Sequence, residues 1–272
     1  MSQINEGSAS NTSSEALASE IHGTIDLVSK LPTREGWSEP LVLYKNYWFR
    51  PHVAANVMRL QNSFKPRHDD TILAVYPKCG TTWIKALAFT ITNRSRYDFV
   101  NHPLLFCHPQ EVVPFIDIPL GRDMSYIERL PSPRLLITHT PLSLLPCSIA
   151  SSGCRVVYMR REPKDAFVSR WHFENKICKE CNIDLETAFN MFSEGFSEYG
   201  PFWGHCIEYW KESIANPDKI LFLKYEDVIL EPCDVLLVGP HPHASVTPLE
   251  APAGDLRASS YRHVSCRVAT NR

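Results

Sequence analysis

Short apolar runs alternate with segments of helical periodicity along the middle of the chain. Four of the runs are rich in Val, Ile, Leu and Tyr and have the continuity of strands buried on both faces. We predict strands at residues 71–76, 134–139, 154–159 and 219–225. Between them, apolar residues recur three and four positions apart, which predicts helices at residues 82–92, 164–175, 185–198 and 201–215. This alternation is typical of a three-layer α/β domain, in which helices flank a central, mostly parallel sheet.

The pattern fades towards both ends of the chain. Residues 1–37 are polar and Ser-rich, and we predict a flexible N-terminal leader there. Residues 38–232 carry the alternating elements and form the predicted domain. Residues 233–272 are rich in Pro and His and follow neither the helical nor the strand period, so we predict a disordered tail. The aromatic stretch at residues 43–51 is expected to pack on the domain or to line a pocket.

Charge and composition argue against several classes of partner. The formal net charge of −2 gives no basis for bulk attraction to nucleic acid or to a membrane surface. No apolar run reaches the roughly 18 residues of a membrane span. The N-terminus also lacks the apolar core of a secretory signal. We therefore expect a cytoplasmic protein that binds anions, if at all, through a local site.

Metal binding is not expected. Cys178 and Cys181 form a CxxC pair, but no second pair accompanies them, so the zinc signal is weak. The nine cysteines are scattered along the chain, and we expect them to be reduced thiols.

The stretch "PKCGTT" carries the first chemical signal, because it joins the first predicted strand to a helix. The first N–H groups of a helix lack helical acceptors, and the helix dipole adds positive charge there. Gly80 permits a close backbone approach, Lys78 adds a full charge, and Thr81 and Thr82 add hydroxyl donors. This arrangement predicts a phosphate cradle. The alternative, a Thr-capped helix with a solvated lysine, stays open on this stretch alone.

Two further stretches favour the cradle. In "CRVVYMRREPKDAFVSRWHF" a strand ends at Arg161, and Ser169 lies two turns into the following helix. Arg161 can bind a phosphate with two hydrogen bonds, although a charged helix entrance is the plainer interpretation. In "PRLLITHTPLSLLP", His139 follows a strand at the end where open α/β sheets bind ligands. An imidazole there suits general-base chemistry, while a packed core histidine is the alternative.

Taken together, these stretches resemble the cytosolic sulfotransferases that use 3′-phosphoadenosine 5′-phosphosulfate (PAPS). The stretch "YPKCGTTW" is similar to that family's 5′-phosphosulfate loop, "RREPKDAFVSRWHF" to its 3′-phosphate motif and "THTPLSLLP" to its catalytic segment. The phrases "YGPFWGH" and "LFLKYED" are similar to the plant, flavonol-sulfotransferase-like branch. The resemblance covers residues 43 to 232 and implies a P-loop-like fold. A P-loop kinase is disfavoured. In a triphosphate loop a glycine comes directly before the lysine, whereas here Lys78 comes before Gly80.

The resemblance implies a role for each matching residue. His139 would be the catalytic base, and Lys78 would stabilise charge on the leaving phosphate. The donor-binding residues would be Lys78, Cys79, Gly80, Thr81, Thr82, Trp83, Arg161, Ser169 and Tyr199. No metal would be needed. The acceptor would be a hydroxyl of a small molecule, such as a flavonoid or a steroid-like hormone, bound partly by residues 99–115.

Departures from the family pattern leave a second hypothesis open. Ile137 replaces a lysine common outside plants, and Glu162 places a negative charge next to the 3′-phosphate motif. The family continues past the "YED" stretch to an RKGxxGDW loop, which this sequence does not contain. The resemblance thus implies a domain incomplete at its C-terminal end. The alternative is an inactive homologue that at most binds adenosine 3′,5′-bisphosphate (PAP).

Overall fold

The computed structural model describes residues 23–118, 124–180 and 182–230. The predicted tail, residues 233–272, lies outside the described residues, as does the first part of the predicted leader. Among the residues described, no helix combines the length and apolar character that crossing a bilayer requires.

The N-terminal part of the described chain forms a small antiparallel sheet against the domain. Residues 23–29 are helical (α1). The sheet contains β1 (Thr33–Arg34), β2 (Leu41–Tyr44) and β3 (Tyr47–Phe49), and α2 (Pro51–Ser63) follows. The folded part thus begins before the predicted boundary at residue 38, because Val28 and Trp37 are buried in the core. The β2–β3 hairpin turns through two residues with positive φ, Lys45 and Asn46, a geometry that matches the twist of paired strands.

A four-stranded parallel sheet forms the centre of the molecule. Its strands are β4 (Thr71–Val75), β5 (Leu135–Thr138), β6 (Arg155–Arg160) and β7 (Ile220–Lys224), in the order β5-β4-β6-β7. Every neighbouring pair is parallel. The predicted strands and the predicted fold class are therefore confirmed.

Within the described residues, eight further helices connect and cover the strands. They are α3 (Thr81–Thr92), α4 (Pro109–Val112), α5 (Met124–Arg129), α6 (Cys147–Ser151), α7 (Pro163–Ile177), α8 (Leu185–Ser193), α9 (Phe202–Ala215) and α10 (Tyr225–Leu230). The four predicted helices are present, but α8 ends five residues before the predicted end at 198. Gly195 takes a φ of +83°, and the N–H groups of Gly195 and Phe196 bond back to Phe192 and Met191. This Schellman arrangement terminates the helix.

The sheet is buried on both faces, as its continuous apolar strands predict. Alternate residues of β4 enter two different core clusters: Leu73 and Val75 join one, and Ile72 and Ala74 join the other. This follows from the two-residue period of a strand. At the amino ends of the strands, Arg134 and Asp70 form a buried ion pair with two hydrogen bonds of 2.8 and 2.5 Å.

Candidate active site

Three loops that carry the candidate residues meet at the carboxyl edge of the parallel sheet. They follow β4, β5 and β6, which are neighbours in the sheet. The chain runs from β4 to β5 on one side and then to β6 on the other. Such a reversal of strand order opens a crevice at the carboxyl ends, where α/β proteins bind ligands.

The loop after β4 has the geometry of an anion cradle. Lys78 and Gly80 both have positive φ, of 71° and 94°. The loop leads directly into α3, whose first turn receives no side-chain cap from any residue that the structure describes. A Cβ on Gly80 would lie 2.6 Å from the ring of Tyr225, so only glycine fits there without displacement. The first N–H groups of α3 are therefore left without a side-chain cap at the carboxyl edge of the sheet, where such groups can bind an anion.

The side chains of this loop divide by exposure. Cys79 is fully buried, so its backbone rather than its thiol can face a ligand. Thr82 and Trp83 are exposed, and Thr81 is half-buried. The Lys78 ammonium lies 4.2 Å from the centre of the Phe173 ring. Burial, together with the neighbouring charges of Arg170 and Arg161, lowers the pKa of Lys78.

Arg161 joins the loop after β6 to the loop after β4. Its Nη1 donates to the carbonyl of Lys78 at 3.3 Å, and its guanidinium lies 4.8 Å from the centre of the Tyr225 ring. Its Nε is buried and meets no partner within the described residues. Asp165 approaches the guanidinium at 3.6 Å but is largely exposed. Arg161 therefore retains an unsatisfied donor beside the cradle.

The residues near Arg161 carry charges of both signs. Ser169 lies two turns into α7 and is half-buried. Glu162, whose charge could oppose a bound phosphate, has an exposed side chain. Its backbone N–H donates to Glu226 at 2.7 Å. Arg160 also pairs with Glu226, at 3.9 Å.

His139, at the end of β5, is held in one tautomer. Its Nδ1 lies 2.6 Å from the carbonyl oxygen of Val75, the last residue of β4. A carbonyl only accepts, so Nδ1 carries the proton and Nε2 keeps its lone pair. Burial lowers the pKa of His139 to about 3, and the bond to Val75 offsets part of that effect. The imidazole is thus neutral near pH 7, with a free basic nitrogen.

The backbone of His139 is fixed from two sides. Its N–H donates to the Asp117 carboxylate at 3.0 Å, and its carbonyl accepts from Nε2 of His205 at 2.8 Å. Asp117 also accepts from the Thr140 hydroxyl at 3.2 Å. His205 itself lies within hydrogen-bond distance of the Tyr158 hydroxyl, at 3.0 Å.

Unpaired polar atoms surround the His139 ring. Phe115 and Tyr199 lie against the ring, with centroid distances of 5.0 and 5.4 Å. Lys85 Nζ is buried and has no hydrogen-bond partner in the part of the chain described. The Asp117 carboxylate and the Tyr199 hydroxyl are also buried, and they interact with each other. Burial raises the pKa of Asp117 to about 6 and lowers that of Lys85 to about 8. Burial and Asp117 raise the pKa of Tyr199.

The structure thus brings the sequence-predicted residues together in two adjoining groups. One contains Lys78, Gly80 and Arg161. The other surrounds His139 and includes Tyr199, which was expected on the donor side. Sequence reasoning missed Lys85, Asp117 and Tyr225. Lys85 offered one signal, since it is the only charged residue in α3.

Among the described residues, no group of three or more His, Cys, Asp and Glu side chains could hold a metal ion. Cys178, half of the CxxC pair, is disulfide-bonded, contrary to the expectation of reduced thiols.

The fold defines a P-loop-like α/β protein, with two loops that offer free hydrogen-bond donors at the carboxyl edge of the sheet and a buried histidine beside them. A family model described as "Sulfotransferase domain" matches residues 68–237. The chain belongs to the sulfotransferase family.

Plant relatives agree with this assignment. The chain is 39% identical over 238 residues to cytosolic sulfotransferase 17 of Arabidopsis thaliana, covering 85% of this chain and 68% of that protein. It is 39% identical over 212 residues to cytosolic sulfotransferase 15 of the same plant, covering 75% and 59%. The chain thus spans about three fifths to two thirds of the length of these curated relatives.

Solved structures show the same architecture. An Arabidopsis thaliana sulphotransferase whose name assigns it to steroids aligns with a TM-score of 0.69 at 38% identity, covering 76% of this chain and 73% of that one. The mouse sulfotransferase SULT7A1 complexed with PAP aligns with a TM-score of 0.57 at 24% identity, covering 72% and 66%. The predicted P-loop-like fold is therefore confirmed.

Proposed function

We propose that this protein transfers the sulfuryl group of PAPS to a hydroxyl of a small molecule, with His139 as the general base. One observation carries the proposal: the Nδ1–H of His139 is committed to the Val75 carbonyl, which leaves Nε2 basic beside an uncapped anion cradle. Family membership supports sulfuryl transfer as the class of reaction.

The residues of the crevice fit the PAPS anion. The uncapped N–H groups at the start of α3 and the Lys78 ammonium would hold the 5′-phosphosulfate, and the buried unpaired Nε of Arg161 offers a donor to the 3′-phosphate. Ser169 would add a hydroxyl. Trp83, which is 43% exposed beside the loop, provides an aromatic face for the adenine. The assignment of Tyr199 to the adenosine stays a prediction.

The chain's own residues would move one proton and stabilise one charge. His139 Nε2 would take the proton of the acceptor hydroxyl as the new O–S bond forms, an effect worth about 10²–10⁴-fold in rate. Lys78 would donate to the bridging oxygen as its bond to sulfur breaks and negative charge passes to the phosphate. PAPS supplies the activated sulfuryl group, and the remaining task of the protein is positioning.

We make three further proposals, which concern the acceptor, the cellular location of the protein and the boundaries of its domain. We propose a small hydroxylated acceptor such as a flavonoid or a steroid-like molecule, in line with the steroid assignment of one plant relative. Residues 99–115 would contribute to its pocket, since Phe115 contacts His139. The names of the relatives favour a cytoplasmic location. We keep residues 38–232 as the catalytic domain, extended by the packed residues 23–37.

A second candidate is an inactive homologue that binds PAP without turnover. It is favoured by Glu162, which places a negative charge next to the proposed 3′-phosphate site.

Thermal unfolding with and without PAP tests the proposal. A ligand that binds only the folded state stabilises it by about 2.7 kcal/mol at a hundredfold excess over Kd. We expect a higher Tm with PAP for the intact chain and no rise for Arg161→Ala. Arg155→Ala is the matched control, because Arg155 is exposed at the opposite end of the same strand.

Turnover of PAPS with a panel of flavonols and hydroxysteroids then separates the two candidates. Stabilisation by PAP with sulfated product supports the enzyme. Stabilisation without product from any acceptor supports the inactive homologue. A Tm indifferent to PAP would overturn both.

A further inference from the structure

Lys85 is a buried ammonium without a hydrogen-bonding partner. Its side chain is completely inaccessible, and no described residue accepts a hydrogen bond from its Nζ. Leaving such a charge buried is costly, so an unpaired buried lysine needs an explanation outside packing. α3 contains no other charged residue, and its neighbouring positions are apolar or small.

The surroundings of Lys85 direct it towards His139. Nζ lies 3.8 Å from the centre of the Phe115 ring, and the Phe115 and His139 rings are in contact, with 5.0 Å between centroids. The charge of Lys85 contributes to the lowered pKa of His139. Asp117 is the acidic group that stabilises the charged form of Lys85, although no described residue accepts a hydrogen bond from the Lys85 ammonium.

Three buried polar groups of different kinds therefore lie near one imidazole. The Lys85 ammonium has no hydrogen-bond partner among the described residues, whereas the Asp117 carboxylate and the Tyr199 hydroxyl interact with each other. A donor left open at the side of a general base matches a substrate hydroxyl that must lose its proton there. A core serving only stability would have paired the Lys85 ammonium or replaced it with an apolar side chain.

We propose that Lys85 is a catalytic residue: its ammonium donates a hydrogen bond to the acceptor oxygen as that oxygen gives its proton to Nε2 of His139. The negative charge of Asp117 favours the charged form of Lys85, and Tyr199 interacts with Asp117 in the same cluster. The inference rests on the proposed function. In the step, the acceptor O–H bond breaks and its proton passes to Nε2. The electron pair left on the acceptor oxygen forms the bond to sulfur as the bond between sulfur and the bridging oxygen of PAPS breaks, and PAP leaves with that electron pair.

The ionisation of a bound phenol gives a direct test, because 4-nitrophenol and its phenolate absorb at different wavelengths. The protein saturated with PAP is titrated with 4-nitrophenol below pH about 8, where Lys85 carries its charge. We expect the bound phenol to ionise at a lower pH in the wild type than in Lys85→Met. Lys85→Arg should restore most of the difference, since it keeps the cation.

Stability and rate provide independent readouts. Lys85→Met removes a buried unpaired charge and keeps the length of the side chain, so we expect its Tm to equal or exceed that of the wild type. We expect kcat/KM for 4-nitrophenol sulfation to fall about 10²–10³-fold, the usual loss for one oxyanion donor. Ala86→Ser, one position along α3, is the matched control and should change neither quantity.

Several outcomes would overturn the inference. The first is that the bound phenol ionises at the same pH in the wild type and in Lys85→Met. The second is that 4-nitrophenol does not bind to the wild type. The third is that Lys85→Met has a lower Tm but full activity in its folded fraction. Failure of PAP to stabilise the wild type would instead remove the proposed function, and the thermal assay detects it without any substitution at Lys85.

Discussion

At the scale of single residues, the chemistry of His139 depends on one hydrogen bond. A buried imidazole could serve as a packed core residue, an acid or a base. The carbonyl of Val75 selects the Nδ1–H tautomer, and burial keeps the ring neutral with a pKa of about 3. Nε2 therefore stays unprotonated over the whole neutral range. We expect that protonation of His139 does not limit the reaction rate above pH about 4.

Substitution of His139 should separate chemistry from binding. In His139→Asn, the side-chain amide can still donate to Val75, but no base remains at the Nε2 position. We expect kcat to fall about 10²–10⁴-fold with little change in the Tm rise caused by PAP. Initial rates with PAPS, combined with thermal unfolding, measure both. Retention of more than about a tenth of wild-type kcat would remove the role of His139 as base.

At the scale of elements, the turn between β4 and α3 forms the cradle. Gly80 adopts a φ of 94°, and its Cα faces Tyr225 and Met159 so closely that a Cβ would lie 2.6–2.7 Å from their side chains. Tyr225 in turn contacts the guanidinium of Arg161. A change at Gly80 is therefore transmitted to the second anion-binding loop through one aromatic ring.

Gly80→Ala should weaken both donor binding and stability. The new Cβ must displace Tyr225 while the backbone stays in a conformation that costs alanine about 1 kcal/mol or more. We expect at least a tenfold rise in the Kd for PAP and a lower Tm, measured by calorimetry and thermal unfolding. Gly23→Ala is the control, because a Cβ there meets nothing within 4 Å. Unchanged PAP affinity in Gly80→Ala would contradict the tight packing of this turn.

At the scale of the whole molecule, two buried neutral histidines link the stability of the fold to pH. Burial lowers the pKa of His139 to about 3 and that of His205 to about 4, from an ordinary 6.5. Below pH 6.5 these two histidines bind protons in the unfolded chain but stay neutral in the folded chain. Stability contributed by these residues is therefore complete above pH 6.5 and is lost as the pH falls towards 4. Burial raises the pKa of Asp117 from 3.8 to about 6, so its contribution to stability increases as the pH falls from 6 to 3.8 and opposes that of the histidines.

We therefore expect the free energy of unfolding to fall on acidification below pH 6.5. Each histidine contributes a slope of up to about 1.4 kcal/mol per pH unit. His205→Gln should reduce the slope, since its amide can still donate to the His139 carbonyl but does not titrate. Chemical denaturation at a series of pH values measures the slope. An identical slope in the variant would show that His205 is not the titrating group.

The sequence by itself determined the architecture and the positions of the anion-binding motifs. Strand and helix periods are local, so the order of the elements could be read from apolar spacing, and "PKCGTT" could be placed at a strand-to-helix junction without a structure. The hairpin at Lys45 and Asn46 and the early end of α8 were missed, because both depend on single residues with positive φ.

Only the tertiary structure decided what the site residues can do. His139 is separated by 64 positions from Val75 and by 22 from Asp117, and no local pattern predicts either bond. The same holds for the contact between Arg161 and Lys78, 83 positions apart. In the sequence, Lys85 is only a lysine in an otherwise apolar helix. It becomes a candidate catalytic group because the fold buries its ammonium without a hydrogen-bond partner among the described residues. The tautomer of His139, the pKa values of the site residues and their unpaired donors all arise from packing between segments that are distant in the sequence. The local sequence pattern carries no information about such packing.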